Sequence, residues 1–252
     1  MCLIAFALNA HPRYRLIVVA NRDEFHHRPT EAAHWWPDAP GLFGGRDLQQ
    51  GGTWMACTRA GRWAAVTNVR RMVPPNPAAP SRGALVADYL RGTHAPAAAA
   101  QRLLPEAPRY AGFNLLLGDG SGCAYLGNEA QPPTRELADG LHAVSNASLD
   151  TPWPKLLRLR QALAGWCASA NTRHDALFEA LADETPVADN ELPDTGVGLA
   201  HERFLATPFI RSPTYGTRAS TLLTIGDDGI VFHERRFGAN GVALGETRER
   251  LA

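Results

Sequence analysis

The cysteine at position 2 is the residue whose place in this sequence favours chemistry most directly. Removal of an initiator methionine is permitted by a small second side chain, and it would leave a thiol and a free α-amine on one residue. A free cysteine thiol titrates near ~8.5 and an α-amine near ~7.7–8.0, so the neutral amine is available as a general base. Such a pair makes an N-terminal nucleophile that needs no separate histidine. The alternative is that Cys2 is a buried strand residue, as free cysteine often is.

A polar run, Asn21-Arg22-Asp23-Glu24, directly follows the apolar segment 16–20. If the first two strands pair as a hairpin, this run lies beside Cys2 at one end of the sheet. We then expect Arg22 to lower the pKa of the thiol, and Asp23 or Glu24 to accept a hydrogen bond from the α-amine. The alternative is a solvated strand end with a local salt bridge.

Apolar alternation predicts the strands that must position these residues, and turn residues pair the strands into hairpins. The first strand is apolar on both alternating faces, which is typical of a strand that is covered on both sides. The predicted strands cover residues 2–9, 15–20, 53–58, 62–69, 113–117, 123–127, 141–145, 219–225 and 230–237. Helical spacing and capping residues predict helices over residues 81–90, 97–104, 154–169 and 175–182. The stretch 183–217, rich in Pro and Gly, is either a long functional loop or holds a short helix near 199–205.

These elements are expected to form a single domain over residues 1–252, because no internal repeat and no linker with a shift in composition interrupts the chain. The antiparallel hairpins have two apolar faces that need cover, and the helices come in two groups. Two stacked antiparallel sheets between two helical layers satisfy both needs. We therefore predict the α+β class, as a four-layer αββα sandwich. A plain α+β sandwich is the alternative.

Composition excludes several classes of function. The 252 residues carry 25 basic and 25 acidic side chains, so the chain lacks the electrostatic signature of a nucleic-acid binder. No apolar run is long enough to span a bilayer and no basic residue precedes the first apolar stretch, so we expect a cytoplasmic protein.

The four cysteines form no Cys-x-x-Cys pair, and His26, His27 and His34 lack zinc-ligand spacing. We expect free thiols, no metal and no other cofactor.

Several ordered blocks along most of the chain carry a family resemblance. They are Met1-Cys2, Asn21-Arg22-Asp23-Glu24, Gly44-Gly45-Arg46-Asp47, Gly51-Gly52-Thr53-Trp54, residues 64–70, 113–115, Ser145-Asn146, Trp153-Pro154-Lys155, residues 192–196 and 215–221. In this order they resemble the NRDE family, also called the transport and Golgi organisation family. So many blocks in one order identify the chain as a member of that family.

The NRDE family is similar in pattern to the N-terminal-nucleophile hydrolases, especially the cysteine branch with penicillin V acylase, bile-salt hydrolase and acid ceramidase. The resemblance implies the αββα fold and the cleavage of a linear amide. It makes Cys2 the nucleophile, and it makes Asn68 and Asn146 the amide donors to a tetrahedral oxyanion. It also assigns catalytic roles to Arg22 and Asp23. The corresponding pair is separated in the bile-salt hydrolase branch and adjacent here, so the individual roles of the two residues stay open.

The candidate substrate-binding residues are Arg218, Asn21, Glu24 and Trp54. Arg218 precedes an apolar strand, where it can meet a substrate carboxylate or phosphate, or serve as a structural residue. Two functions of different classes remain. One is an amidohydrolase or acyltransferase acting on a linear amide. The other is a non-catalytic binding protein on the same fold, so the expected partner is a small molecule: an amide, an acyl lipid or haem.

We predict that Met1 is removed in the cell, because the Cys2 side chain is small enough to permit cleavage. The intact mass of untagged, natively expressed protein measures this directly. The expected mass is that of a chain beginning at Cys2. A mass that retains methionine would remove the amine base and leave only the binding function.

Overall fold

The first strand, β1 (Cys2–Leu8), is buried on both faces, as its sequence predicts. Ile4 and Phe6 belong to a core between two sheets, whereas Leu3 and Ala5 face a second core beneath helices. The strand therefore separates two apolar layers, which explains why both of its faces are apolar.

The computed structural model describes residues 2–71, 76, 78–169 and 172–251. The remaining strands are β2 (Tyr14–Phe25), β3 (Thr30–Trp36), β4 (Ala39–Asp47), β5 (Met55–Thr58), β6 (Trp63–Asn68), β7 (Phe113–Asp119), β8 (Gly122–Gly127), β9 (Thr134–Glu136), β10 (Gly140–Val144), β11 (Tyr215–Gly226), β12 (Gly229–Phe237) and β13 (Ala243–Leu251). The helices are α1 (Arg82–Arg91), α2 (Pro96–Leu103), α3 (Pro154–Ala168), α4 (Asp175–Leu181) and α5 (Leu199–Phe204).

These strands form two antiparallel sheets. One has the order β10-β1-β2-β11-β12-β13, and the other runs β3-β4-β5-β6-β7-β8-β9. Apolar side chains from both sheets share the central core, including Phe6 and Trp63, whose ring centroids lie 6.0 Å apart. Helices α1 and α2 cover the outer face of the second sheet, and α3 and α4 cover that of the first. The predicted α+β, four-layer αββα sandwich is confirmed.

The polar run after the second predicted strand lies inside β2, which continues to Phe25. The prediction that the strand ends at residue 20 is therefore wrong. The reason is the neighbouring strand β11, which pairs with β2 along its length and sets Thr217 opposite Asp23 and Ser220 opposite Asn21. Hydroxyl groups on β11 satisfy polar side chains that would otherwise be buried without partners.

Four strands, β3, β4, β9 and β13, are absent from the sequence-based prediction. The β4 segment is rich in glycine and so lacks apolar alternation, yet its glycines permit close pairing with β5. A Cβ on Gly44 would lie 2.7 Å from the Cβ of Ala56. The last strand, β13, is an edge strand whose residues are mostly exposed, so it lacks apolar alternation. The short helix expected near 199–205 is present as α5.

A contact between two glycines holds the start of α1 against the second sheet. A Cβ on Gly52 would lie 2.5 Å from the carbonyl carbon of Gly83, and the Thr53 amide donates to the Gly83 carbonyl at 3.3 Å. Only residues without a side chain permit this approach. The contact therefore sets the position of Arg82, the first residue of α1, relative to the second sheet.

We predict that Gly52→Ala destabilises the protein by about 1–3 kcal/mol, because the added methyl group must push α1 away from the sheet. Chemical denaturation measures the loss. Gly41→Ala is the matched control, since a Cβ on Gly41 meets no atom within 4 Å. Equal stability of the two variants would contradict a close glycine contact.

Candidate active site

A cleft of about 450 Å³ opens where the two sheets present the ends of β1 and β6. Both sheets contribute to its walls. The sequence-predicted site residues that line it are Cys2, Arg22, Asp23, Glu24, Trp54, Asn68 and Arg218. Residues that lie far apart in the chain are thus brought together around the cysteine.

Strand pairing sets Cys2 directly opposite Arg22. The thiol residue is 7% exposed, and burial raises the pKa of the Cys2 thiol above its ordinary value. The Arg22 guanidinium lowers this pKa, but the desolvation of a buried thiolate is the larger effect. The expected effect of Arg22 on this pKa is therefore present, but burial outweighs it and the net direction is upward.

Asp23 lies at the same end of β2 and is 1% exposed. Its Oδ1 accepts a hydrogen bond of 2.7 Å from Thr217 Oγ1. Burial raises the pKa of the carboxyl, whereas the positive charge of Lys155 and the bond from Thr217 lower it. The carboxyl is thus a buried acidic group beside the cysteine strand.

Lys155 is a functional candidate that the motif analysis did not select, although it is the single lysine among 25 cations. Its side chain is buried, and its Nζ donates to the Leu205 carbonyl at 3.0 Å. Burial lowers the pKa of the ammonium to about 8, and the charges of Asp23 and Cys2 oppose that change. The rarity of the residue type and its place in the Trp-Pro-Lys block are the signals that select it.

The two asparagines of the resemblance occupy different places. Asn68, the last residue of β6, lines the cleft. Asn146 lies behind it against a smaller cavity of about 230 Å³, and its Nδ2 donates to the Asn68 carbonyl at 2.9 Å. Its Oδ1 accepts from Ser145 Oγ at 3.1 Å. Contacts of Asn146 therefore position the Asn68 backbone, and the structure does not bring its amide into the cleft as an oxyanion donor.

Asn21 also lies outside the cleft. Its side chain is fully buried, and its Nδ2 donates to the carbonyls of Leu181 at 2.8 Å and Pro208 at 2.9 Å. Its Oδ1 accepts from Ser220 Oγ at 2.6 Å. Because these protein partners occupy the amide, the expectation that Asn21 binds substrate is not met. The residue joins β2 to the segments beneath it.

The remaining predicted binding residues form the cleft wall. Arg218 Nη1 donates to the carbonyls of Phe25 at 2.9 Å and Arg28 at 3.0 Å. Glu24 Oε2 lies 3.8 Å from the guanidinium of Arg28. The pairing between β2 and β11 shifts register at Arg218, so a β-bulge turns this part of the strand toward the cleft.

Arg82 is a further cleft residue that sequence reasoning missed. Its Nη1 donates to the Gly112 carbonyl at 3.0 Å. The sequence signal for Arg82 is indirect. The residue follows Ser81, which is predicted to cap a helix, and precedes Gly83, which contacts Gly52.

Comparison with known proteins settles the family. The family model "Transport and Golgi organisation 2" matches residues 1–239. The chain belongs to the transport and Golgi organisation 2 family. The Bos taurus Transport and Golgi organization protein 2 homolog is 34% identical over 257 residues, covering 93% of this chain and 92% of that protein. The Homo sapiens homolog is 32% identical over 270 residues, covering 98% and 97%.

A solved structure supports the fold of this transport and Golgi organisation 2 family member. The Caenorhabditis elegans N-acylethanolamine-hydrolyzing acid amidase ortholog matches with a TM-score of 0.52 and 10% sequence identity. The match covers 88% of this chain and 92% of that chain. At this identity the likeness shows the N-terminal-nucleophile-hydrolase-like fold. Within the described ranges, no helix is long and apolar enough to cross a membrane.

A buried ion pair fastens the loop after α4 beside Asn146. Arg70 Nη1 contacts Glu202 Oε2, and the two side chains are 5% and 3% exposed. Glu202 Oε1 also accepts from the backbone amide of Thr195 at 2.8 Å, while the Arg70 amide donates to the Asn146 carbonyl at 2.8 Å. The pair thereby connects α5 and its loop to the end of β6.

We predict that Glu202→Ala lowers the free energy of unfolding by about 3–5 kcal/mol, because it leaves the Arg70 guanidinium buried without its acid. Urea denaturation measures the change. The matched control on the same segment is Asp189→Ala, which breaks the exposed pair with Arg203 and should leave stability unchanged. Similar losses in both variants would show that burial of the Arg70–Glu202 pair does not matter.

Proposed function

We propose that this protein is a cysteine N-terminal-nucleophile amidohydrolase that acts on a linear amide. The observation that carries the proposal is the position of Cys2 in the wall of the cleft, opposite Arg22 and beside Asp23. Asn68 reaches the same cleft from the other sheet. A nucleophile, a cation, an acid and an amide donor therefore surround one space that is large enough for a small-molecule substrate.

Removal of Met1 would supply the base. The freed α-amine of Cys2 takes the thiol proton as Sγ attacks the amide carbon, because burial disfavours a free thiolate before substrate arrives. A tetrahedral oxyanion forms, and the Asn68 side-chain amide is its candidate donor. The α-ammonium then protonates the leaving amine, and the C–N bond breaks to leave a thioester on Cys2. Water hydrolyses the thioester with the amine again as base.

Arg22 and Asp23 have separate roles in this proposal. Arg22 lies on the cysteine side of the strand pair and favours negative charge on Sγ during attack. Asp23 favours the protonated α-amine, because a nearby ammonium group and the carboxylate stabilise each other, which opposes the burial that raises the pKa of Asp23. The adjacency of the two residues in β2 suits this division, since successive side chains of a strand point to opposite faces.

The apolar cleft rim suits an acyl group. Phe237 and Leu244 line the cleft, and Leu244 is 55% exposed. The same rim would hold an acyl lipid in a non-catalytic binding protein, which is the second candidate function. The two functions differ in their dependence on the Cys2 thiol.

We expect wild-type protein to hydrolyse at least one member of a panel of N-acyl amides, and Cys2→Ala to abolish that turnover. Alanine permits Met1 removal and retains the α-amine, so only the nucleophile is lost. Asn68→Ala should lower turnover by ~10²–10³ through loss of an oxyanion donor. Product release is followed by mass spectrometry.

Cys167→Ala is the matched control, because this buried thiol packs beneath the first sheet, away from the cleft. It should retain wild-type turnover. Hydrolysis that persists in Cys2→Ala would contradict the mechanism. Tight acyl-lipid or haem binding that is unchanged in Cys2→Ala, with no turnover on any amide, would favour the binding function.

A further inference from the structure

Six arginines line the cleft, and they divide into two sets by their partners. Arg28 pairs with Asp47 at 2.6 Å, Arg46 pairs with Asp38 at 2.6 Å, and Arg236 lies 4.0 Å from Glu234. Arg22, Arg82 and Arg218 form no ion pair with any carboxylate of the described residues. Their hydrogen bonds go to the Thr30 hydroxyl and to backbone carbonyls. Three guanidinium groups thus face one cleft without acidic partners.

Arg22 is the most enclosed of the three. The residue is 7% exposed, and its one side-chain hydrogen bond to another described residue, Thr30 Oγ1, is long at 3.4 Å. A charge that is removed from water is costly unless an opposite charge accompanies it. Since Arg22 lies opposite Cys2 in the strand register, its position suits the negative charge that develops at the reacting sulfur and oxygen.

Arg82 and Arg218 are half-buried, and they approach the cleft from different elements. Burial lowers the pKa of both guanidinium groups, and the positive charge of Arg22 lowers that of Arg218 further. Glu24 is the carboxylate whose charge acts on both, but it forms a salt bridge with neither, lies 3.8 Å from Arg28 and accepts a hydrogen bond from the Phe25 amide. The two arginines therefore have spare capacity for an anion.

The start of α1 also favours an anion in this part of the cleft. Ser81, Arg82 and Gly83 line the cleft, and the first turn of this ten-residue helix holds no acidic residue. The amino terminus of a helix carries partial positive charge and free amide donors, which favour anions. The helix start thus adds positive potential beside the enclosed Arg22 guanidinium on this side of the cleft.

We propose that Arg82 and Arg218 form an anion subsite, so that the ligand of this cleft is an acyl amide with a carboxylate or phosphate beside the amide bond. The proposal rests on the proposed function for the placement of the amide at Cys2. The apolar rim at Phe237 and Leu244 receives the acyl chain, and the two arginines receive the anion. This class differs from the N-acylethanolamines for which the structural neighbour is named, since those end in a neutral hydroxyl.

Binding is measured by isothermal titration calorimetry on the full-length Cys2→Ala protein, which prevents turnover. The probes are N-lauroylglycine, N-lauroylethanolamine and N-lauroyl-aminomethylphosphonate, which differ only in the terminal group. We expect the carboxylate or the phosphonate to bind at least about tenfold more tightly than the neutral amide, as hydrogen bonds to charged groups contribute. The tighter of the two anionic probes identifies the source of the anion.

Arg82→Gln with Arg218→Gln, in the Cys2→Ala background, should abolish the preference, so that the anionic probes bind no more tightly than the ethanolamide. Arg46→Gln is the matched control, because it removes one cleft arginine that already has an acid partner. Equal affinity for neutral and anionic probes, or a preference that survives the double substitution, would overturn the proposal.

Inorganic phosphate tests the subsite without an amide. At constant ionic strength it should raise the thermal midpoint of Cys2→Ala, and that rise should vanish in the Arg82→Gln, Arg218→Gln protein. No rise, or the same rise in both proteins, would overturn the subsite even if no amide probe binds. Wild-type hydrolysis is scored separately, so an anion preference without turnover would retain the subsite and reject the amidohydrolase.

Discussion

The pairing of β1 with β2 is the interaction on which the candidate site depends. It sets Cys2 opposite Arg22, and β11 completes the arrangement by placing Thr217 against Asp23. Because side chains alternate along a strand, a shift of one residue in either register would turn the cysteine or its neighbours to the other face. The buried apolar faces of β1 oppose any such shift, since they separate two cores. Packing of the core therefore maintains the geometry of the chemistry.

Burial governs the charge state of the groups around Cys2. It raises the pKa of the Cys2 thiol and of the Asp23 carboxyl, and it lowers that of the Lys155 ammonium. Each change favours the neutral form of the group, because a low-dielectric surrounding penalises charge. Within such a site, transfer of a proton between two neighbouring groups costs less free energy than formation of one isolated charge. In the proposed mechanism, attack by Cys2 is therefore coupled to a general base and does not start from a preformed thiolate.

The anion subsite that we propose for the cleft depends on the arrangement of the arginines and not on the fold. The likeness to the acid amidase ortholog is one of fold, at 10% sequence identity. Function resides in the side chains that a fold presents, and related folds host many chemistries. In this chain the glycine contact that holds the start of α1 brings Arg82 to the cleft, and the β-bulge in β11 does the same for Arg218. Local backbone features thus set the positions of the two arginines on which the proposed subsite depends.

The sequence alone determined the main layers, the pairing of the first hairpin and the closeness of Cys2 to Arg22 and Asp23. These follow from apolar periodicity and turn residues, which act over a few neighbouring positions. The edge strand β13, the glycine-rich β4 and the extension of β2 escaped prediction because contacts with distant strands stabilise them. Tertiary structure also decided that Asn68 reaches the cleft whereas Asn21 and Asn146 bind backbone carbonyls elsewhere. Tertiary structure also decided that the pKa of the Cys2 thiol is raised. The desolvation that raises it depends on every atom packed around the sulfur, which the neighbours of Cys2 in the sequence do not reveal.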